Sequence, residues 1–324
     1  RDLVRSRGLG DVYKRQYKDI EAGDRDYETC VLEAKEADEI TVDKKSEKDK
    51  KENMSKKTNN RVKRNSAMDW AFRVIIFCLV CVIVISGYKV GTALYKYHHS
   101  RSGFKQVAKE AKVDPNQFTG VVDFAALQKV NSDVVGWIYQ KDTIINYPIM
   151  HGSDNDIYLH SDINKKYSVS GSIFMDYRNS ADFSDFNTII YGHHMHDGSM
   201  FKSLRGYTKE TDYYKDHKTF ELITPDKKYH LQIISAFITP ATSEAYTYSF
   251  NSSADKQAFL DFAAKSSKVS TGVTATTDDK IITLSTCAYD YDEARYVVVC
   301  KAVPWTKAEI KAGKKLQAKI DKQK

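Results

Sequence analysis

KIITLSTCAYDYDEARYVVVCKA, residues 280–302, decides the architecture of this chain. An apolar run ends in Thr286 and Cys287, and Arg295 opens a second, β-branched run eight residues after the cysteine. Side chains alternate between faces along a strand, so Ile281, Thr283, Ser285 and Cys287 share one face. The acidic, tyrosine-containing segment 288–293 turns the chain back and Arg295 begins the return strand. The pattern therefore predicts a hairpin whose mouth brings a thiol to a guanidinium. Upstream, NTIIYGH (residues 187–193) is a third β-rich run that delivers a histidine at its end. A thiol, an imidazole and a fixed cation at strand termini are the parts needed for acyl transfer through a thioester.

Each of these residues has a plainer alternative. A free cysteine is most often a small buried hydrophobe, but the strand-end position of Cys287 beside Arg295 favours a nucleophile. Cys300 has the opposite parity to Arg295 and is expected to pack on the other face. Arg295 as an ordinary surface cation is less informative than Arg295 as a permanent charge steadying an oxyanion. Arginine cannot act as a general base, so that role falls to histidine. His193 and His194 are adjacent, and the sequence by itself leaves open which one acts. The run HHMH (residues 193–196) invites a metal reading, but no carboxylate or cysteine completes a familiar ligand spacing. No metal and no cofactor are expected.

Outward from this hairpin, β-rich runs occur at residues 136–139, 144–150, 171–177, 188–193, 219–224 and 229–239, and the hairpin adds 280–287 and 295–303. Eight short strands predict a mostly β fold, a closed or nearly closed barrel with peripheral helices. Phe124, Leu127 and Val130 space as a short amphipathic helix ahead of the first strand. The long connection 240–279 carries a second helix: Ser252 and Asp255 can form a capping box, and Phe259, Phe262 and Ala263 follow at helical spacing. After Trp305 the chain ends in a basic, helix-prone tail, residues 305–324.

The front of the chain differs in kind. The first 70 of the 324 residues hold 18 Lys/Arg and 16 Asp/Glu with little apolar periodicity, which predicts a solvated, disordered tail over residues 1–71. RDLVRSRGLGDVYKRQ (residues 1–16) looks like translated sequencing-adapter sequence, an assembly artefact with no expected role, and Met54 offers a start directly ahead of a basic flank. Residues 72–94 are of membrane length if Lys89 snorkels. Lys56, Lys57, Arg61, Lys63, Arg64 and Arg73 outweigh Asp69 before them, which places the N-terminus in the cytoplasm and the rest outside. No small-residue cleavage site follows, so the helix is expected to remain as a single-pass anchor. Residues 95–117 then read as a stalk. The net charge of +7 is dispersed among acids, and no basic-aromatic module suggests nucleic acid. Five cysteines, two of them inside the apolar stretch, do not make a disulfide framework.

Taken together, the motifs resemble the sortases, cysteine transpeptidases of Gram-positive bacteria. TLSTC (residues 283–287) matches the TLxTC signature, Arg295 has the family spacing, and YGH (residues 191–193) matches the histidine motif. NSDVVGWI, INYPI, SGSIFMDYRN and IYGHHMHDGSMF read in order like class B, over roughly residues 118–304. The resemblance implies a sortase-type barrel with Cys287 as nucleophile, His193 as acid and base, and Arg295 as oxyanion partner. It places Asn155, Leu159, Tyr246 and Ser285 where class B enzymes contact a sorting peptide. It also implies partners: secreted proteins with a C-terminal sorting signal cleaved after threonine, and a peptidoglycan precursor or cross-bridge amine as acceptor, with membrane lipid around the anchor. Two alternatives stand beside this reading. One is a pilin-polymerising sortase using a lysine acceptor, although neither an N-terminal lid nor a C-terminal membrane helix is evident. The other is a non-catalytic surface binding domain, against which the intact Cys287, His193 and Arg295 argue.

Overall fold

The computed structural model describes residues 66–323 except Pro115, Tyr289 and Tyr291, so residues 1–65, with the adapter-like segment and Met54, lie outside the described residues. The described residues divide into two compact units, one ending at Leu94 and the other running from Tyr95 onward. Helix α1, Ser66–Glu110, contributes to both.

In the first unit, Trp70–Thr92 is a 23-residue apolar stretch in which no residue is buried. At 1.5 Å per residue it is about 34 Å long, enough to cross a hydrocarbon core of about 30 Å. By length and composition it fits one transmembrane helix.

The second unit is built on a closed eight-stranded barrel in the order β1-β2-β3-β4-β7-β8-β6-β5. Its strands are β1 Val134–Tyr139, β2 Asn146–Met150, β3 Ile173–Met175, β4 Asn187–Tyr191, β5 Thr219–Ile223, β6 Lys228–Pro240, β7 Lys280–Cys287 and β8 Ala294–Pro304. All eight predicted runs are present, with ends shifted by a few residues. β2 pairs with β3 in parallel, as β4 does with β7, and the other neighbours are antiparallel. Closure leaves no free sheet edge to recruit another chain.

Alternation sorts the side chains into layers. Ile282, Leu284, Tyr296, Val298 and Cys300 fill the barrel interior with Ile138, Ile149, Ile173, Met175 and Ile190. Cys300 is thus a packing residue on the face opposite Arg295, and burial raises its thiol pKa well above the ordinary value. The odd-numbered positions of β7 and β8 turn outward. Ile281, Val297 and Val299 pack beneath Phe259, Leu260 and Ala263 of helix α3, Ser253–Ser266, in the long connection. Its N-cap is Ser252, whose side chain accepts from Asp255 N–H, but Asp255 returns its bond to Asn251 N–H rather than to Ser252, so the predicted capping box closes one residue early.

Both flanking segments pack on the barrel more closely than a stalk and a tail would. Val107, Ala108, Ala111 and Val113 are buried in a second core with Trp137, Phe174 and the short helix α2, Phe124–Val130. The C-terminal residues form helix α4, Lys307–Asp321, started by a full capping box between Thr306 and Glu309. Thr119 donates to Gln317 across 2.7 Å and the Trp305 indole donates to Glu221 across 2.8 Å, which fastens α4 to the barrel. Apolar spacing alone could not show this, because the contacts are polar and distant in sequence.

Candidate active site

β4 and β7 run parallel with Ile189 opposite Thr283 and Tyr191 opposite Ser285. Neighbouring strands lie about 4.8 Å apart, so His193 and Cys287, each two residues past that last pair, emerge next to one another at one barrel edge. On the other side of β7, β8 sets Arg295 directly across from Cys287. Opposed residues of an antiparallel pair project to the same face. The Ala288 N–H donates to the Ala294 carbonyl at 2.8 Å, closing the hairpin mouth just beyond. Barrel topology thus gathers the predicted thiol, imidazole and guanidinium at one edge, all buried: Cys287 is 7 %, His193 1 % and Arg295 5 % exposed.

The histidine is not the last residue of its strand. β4 ends at Tyr191, and Gly192 N–H still bonds to Ser285 O at 3.1 Å before the chain leaves the sheet. His193 Nε2 lies 2.7 Å from the Leu159 carbonyl, and its ring centroid lies 6.2 Å from that of His160. Burial pushes its pKa from the ordinary 6.5 down to about 4; the Leu159 carbonyl opposes this and His160 adds to it. At neutral pH the imidazole is therefore uncharged. With Nε2–H donated to Leu159, Nδ1 carries the lone pair.

His194, the other of the two adjacent histidines, lies against the nucleophile candidate's own backbone. Its Nδ1 is 2.9 Å from the Cys287 carbonyl, and burial brings its pKa to about 4 as well. The isolated bridge from His194 to Met200 turns the chain so that this ring points back toward β7. His196 is solvent-exposed, so HHMH does not gather onto one centre. Arg295 is tethered by Nη1–H to the Ala294 carbonyl at 2.9 Å.

Two walls flank the edge. One is the loop between β2 and β3, which carries Asn155 and Leu159. Gly171 in this loop has φ +53°, and a Cβ there would lie 2.3 Å from the Leu159 carbonyl oxygen that holds His193, so the position requires glycine. The other wall is the connection between β6 and β7. Tyr246 Oη and Ser285 Oγ are 2.8 Å apart, Asn187 donates to the Thr247 carbonyl at 2.8 Å, and Phe186 meets Phe250 edge-on at 4.8 Å. Of the four residues expected to contact a peptide, Tyr246 and Ser285 bond to one another, Leu159 is fully buried with its carbonyl on His193, and Asn155 is buried against Asp176.

Sequence reasoning passed over a polar cluster between these two segments. Asp176 follows β3 and is fully buried, accepting from Arg178, Tyr191 and Asn155. Both Asp176 and Arg178 stand in SGSIFMDYRN, and alternation from Phe174 puts Asp176 on the outer face. That parity was the available signal.

Residues 141–303 match the Sortase domain family. The chain belongs to the sortase family of transpeptidases. Within that family its likeness is to class B. It is 35 % identical over 234 residues to Sortase B of Staphylococcus aureus, covering 71 % of this chain and 96 % of that protein. Its identity to Sortase B of Listeria monocytogenes is 37 % over 228 residues, covering 68 % of this chain and 92 % of that one. The solved Staphylococcus aureus sortase B–substrate complex superposes with a TM-score of 0.59 at 34 % identity, over 65 % of this chain and all of that one.

Proposed function

We propose that this chain is a membrane-anchored sortase that cleaves the C-terminal sorting motif of secreted proteins after threonine and joins the new acyl group to an amine of cell-wall peptide. The observation that carries this reading is the convergence of Cys287, His193 and Arg295 at one barrel edge. Neutral His193 takes the thiol proton of Cys287, and the sulfur attacks the threonine carbonyl carbon. The resulting oxyanion is held by the permanent charge of Arg295. His193 then gives its proton to the departing amine as the C–N bond breaks, leaving a thioester on Cys287. A peptidoglycan precursor or cross-bridge amine attacks that thioester and loses a proton to His193. The thiolate leaves and recovers that proton. Asn155, Leu159, Tyr246 and Ser285 line the path of the sorting peptide.

The apolar stretch Trp70–Thr92 and its basic N-terminal flank support a cytoplasmic N-terminus with the barrel outside the cell, where a cell-wall acceptor is available. The test is turnover of a panel of sorting-signal peptides by the full chain, with and without amine acceptors. Cleavage, amine-dependent transfer and loss of both in Cys287→Ala are expected. Activity retained by the alanine variant, or no cleavage of any peptide by the wild type, refutes the reading.

A further inference from the structure

We propose that Asp176 and Arg178 are positioning residues that lock the two walls of the peptide groove to one another, acting through Asn155 on one side and Tyr191, Tyr246 and Tyr248 on the other. This inference rests on the groove assignment above and adds to it the element that fixes the groove's width.

The Asp176 carboxylate sits at the end of β3, between the two walls. Its Oδ1 accepts from Arg178 Nε at 2.8 Å and from the Arg178 backbone N–H at 3.0 Å. Its Oδ2 accepts from Arg178 Nη2 at 2.7 Å, Tyr191 Oη at 2.9 Å and Asn155 Nδ2 at 3.3 Å. Asn155 in turn accepts the Tyr177 N–H at 3.1 Å, so one amide ties the loop between β2 and β3 to the carboxylate through its nitrogen and to the backbone of residue 177 through its oxygen. On the opposite side, the Tyr191 ring stacks on Tyr246 with centroids 6.2 Å apart and planes within 14°, and Tyr246 reaches Ser285 on β7. The Arg178 guanidinium lies over the Tyr248 ring at 4.1 Å, two residues beyond Tyr246 in the same connection.

A bidentate carboxylate fixes the guanidinium plane, which presents a pre-oriented flat cation to Tyr248. One buried anion therefore reaches the loop wall, β4 and the connection wall together. Burial by itself would raise the Asp176 pKa, but the Arg178 guanidinium prevails and holds the carboxyl below the usual range. Ion pairs at buried sites are commonly no more stabilising than packed apolar residues of the same size. Positional specificity is what such a pair supplies that apolar packing would not.

The experiment uses the full chain with Arg178→Gln, Arg178→Lys, Tyr248→Ala, Tyr248→Phe and the Arg178→Gln/Tyr248→Ala double variant. Arg178→Gln strips the buried carboxylate of its counter-charge and is the variant at risk of unfolding; Arg178→Lys and the Tyr248 single variants keep a cation beside Asp176 and are expected to fold. Three measurements are made: KM and kcat for a sorting peptide, the rate of Cys287 alkylation by iodoacetamide, and hydrogen exchange across residues 244–250. Arg178→Gln and Tyr248→Ala are each expected to raise KM on the order of tenfold. Neither should slow alkylation, and exchange in 244–250 should quicken while β7 stays protected. The double variant should be no worse than either single one, Tyr248→Phe should restore KM by restoring the ring, and Arg178→Lys should restore it only in part. Wild-type KM and wild-type exchange in Arg178→Gln overturn the inference, as does a double variant whose effects add. If the wild type cleaves no sorting peptide, the functional reading fails, and the exchange result still decides whether Arg178 holds the connection.

Discussion

Acid should destabilise the barrel unit through its two buried histidines, and by an amount that the site's geometry sets. Burial takes His193 and His194 from 6.5 to about 4 each, so both are neutral when folded and protonate readily when unfolded. Depressed basic groups give the unfolded chain more bound protons between these values, so stability is full above about pH 6.5 and falls as pH drops toward 4. At pH 5 the unfolded imidazole is almost fully protonated and the folded one about a tenth so. Each ring then costs about 2 kcal/mol between pH 7 and pH 5. His230 works in the opposite sense: burial lowers its pKa, but Glu221 and Glu309 outweigh that and raise it, so its contribution is present at low pH and lost as pH rises. Comparing variants isolates the buried pair. Gln can replace the Nε2–H donor of His193 and Asn the Nδ1 of His194, without a titrating ring. Urea unfolding of a chain beginning at residue 97, followed by the fluorescence of fully buried Trp137 together with Trp305, should lose about 2 kcal/mol less between pH 7 and pH 5 in His193→Gln than in wild type. His194→Asn should do the same. A wild-type pH slope in both variants would show that these imidazoles are not held neutral by burial.

The same pair should separate in activity: His193→Gln is expected to lower sorting-peptide turnover by about 10²–10⁴-fold. His194→Asn, which keeps a donor to the Cys287 carbonyl, should lose far less, and equal losses in steady-state kinetics would assign the acid–base role wrongly. Gly171→Ala should destabilise the fold by about 1–2 kcal/mol from its left-handed backbone alone. It should also lower turnover, because its Cβ displaces the Leu159 carbonyl from His193; unchanged melting temperature and turnover would contradict this. Protease added to intact cells should digest the barrel unit and spare residues 1–65, and the reverse pattern would mean an inverted orientation.

Much of the fold was legible because strands announce themselves locally. Alternation in residues 280–302 placed Cys287 and Arg295 across a hairpin and sent Cys300 to the other face, since strand parity needs no knowledge of the partner. The motifs at residues 191–193 and 283–287 pointed to the family for a related reason, as strand-end chemistry keeps a fixed spacing. The relation between β4 and β7 was not legible, because they are parallel neighbours some ninety residues apart, and only barrel closure decides that His193 and Cys287 leave at one edge. Nor was the role of His194, whose ring direction depends on a bridge to Met200, or the packing of 107–113 and of α4 against the barrel. Asp176 shows the limit most clearly. Its parity is written in the sequence, but the five hydrogen bonds that make a buried carboxylate tolerable come from Arg178, Tyr191 and Asn155, and only tertiary structure sets those around one anion.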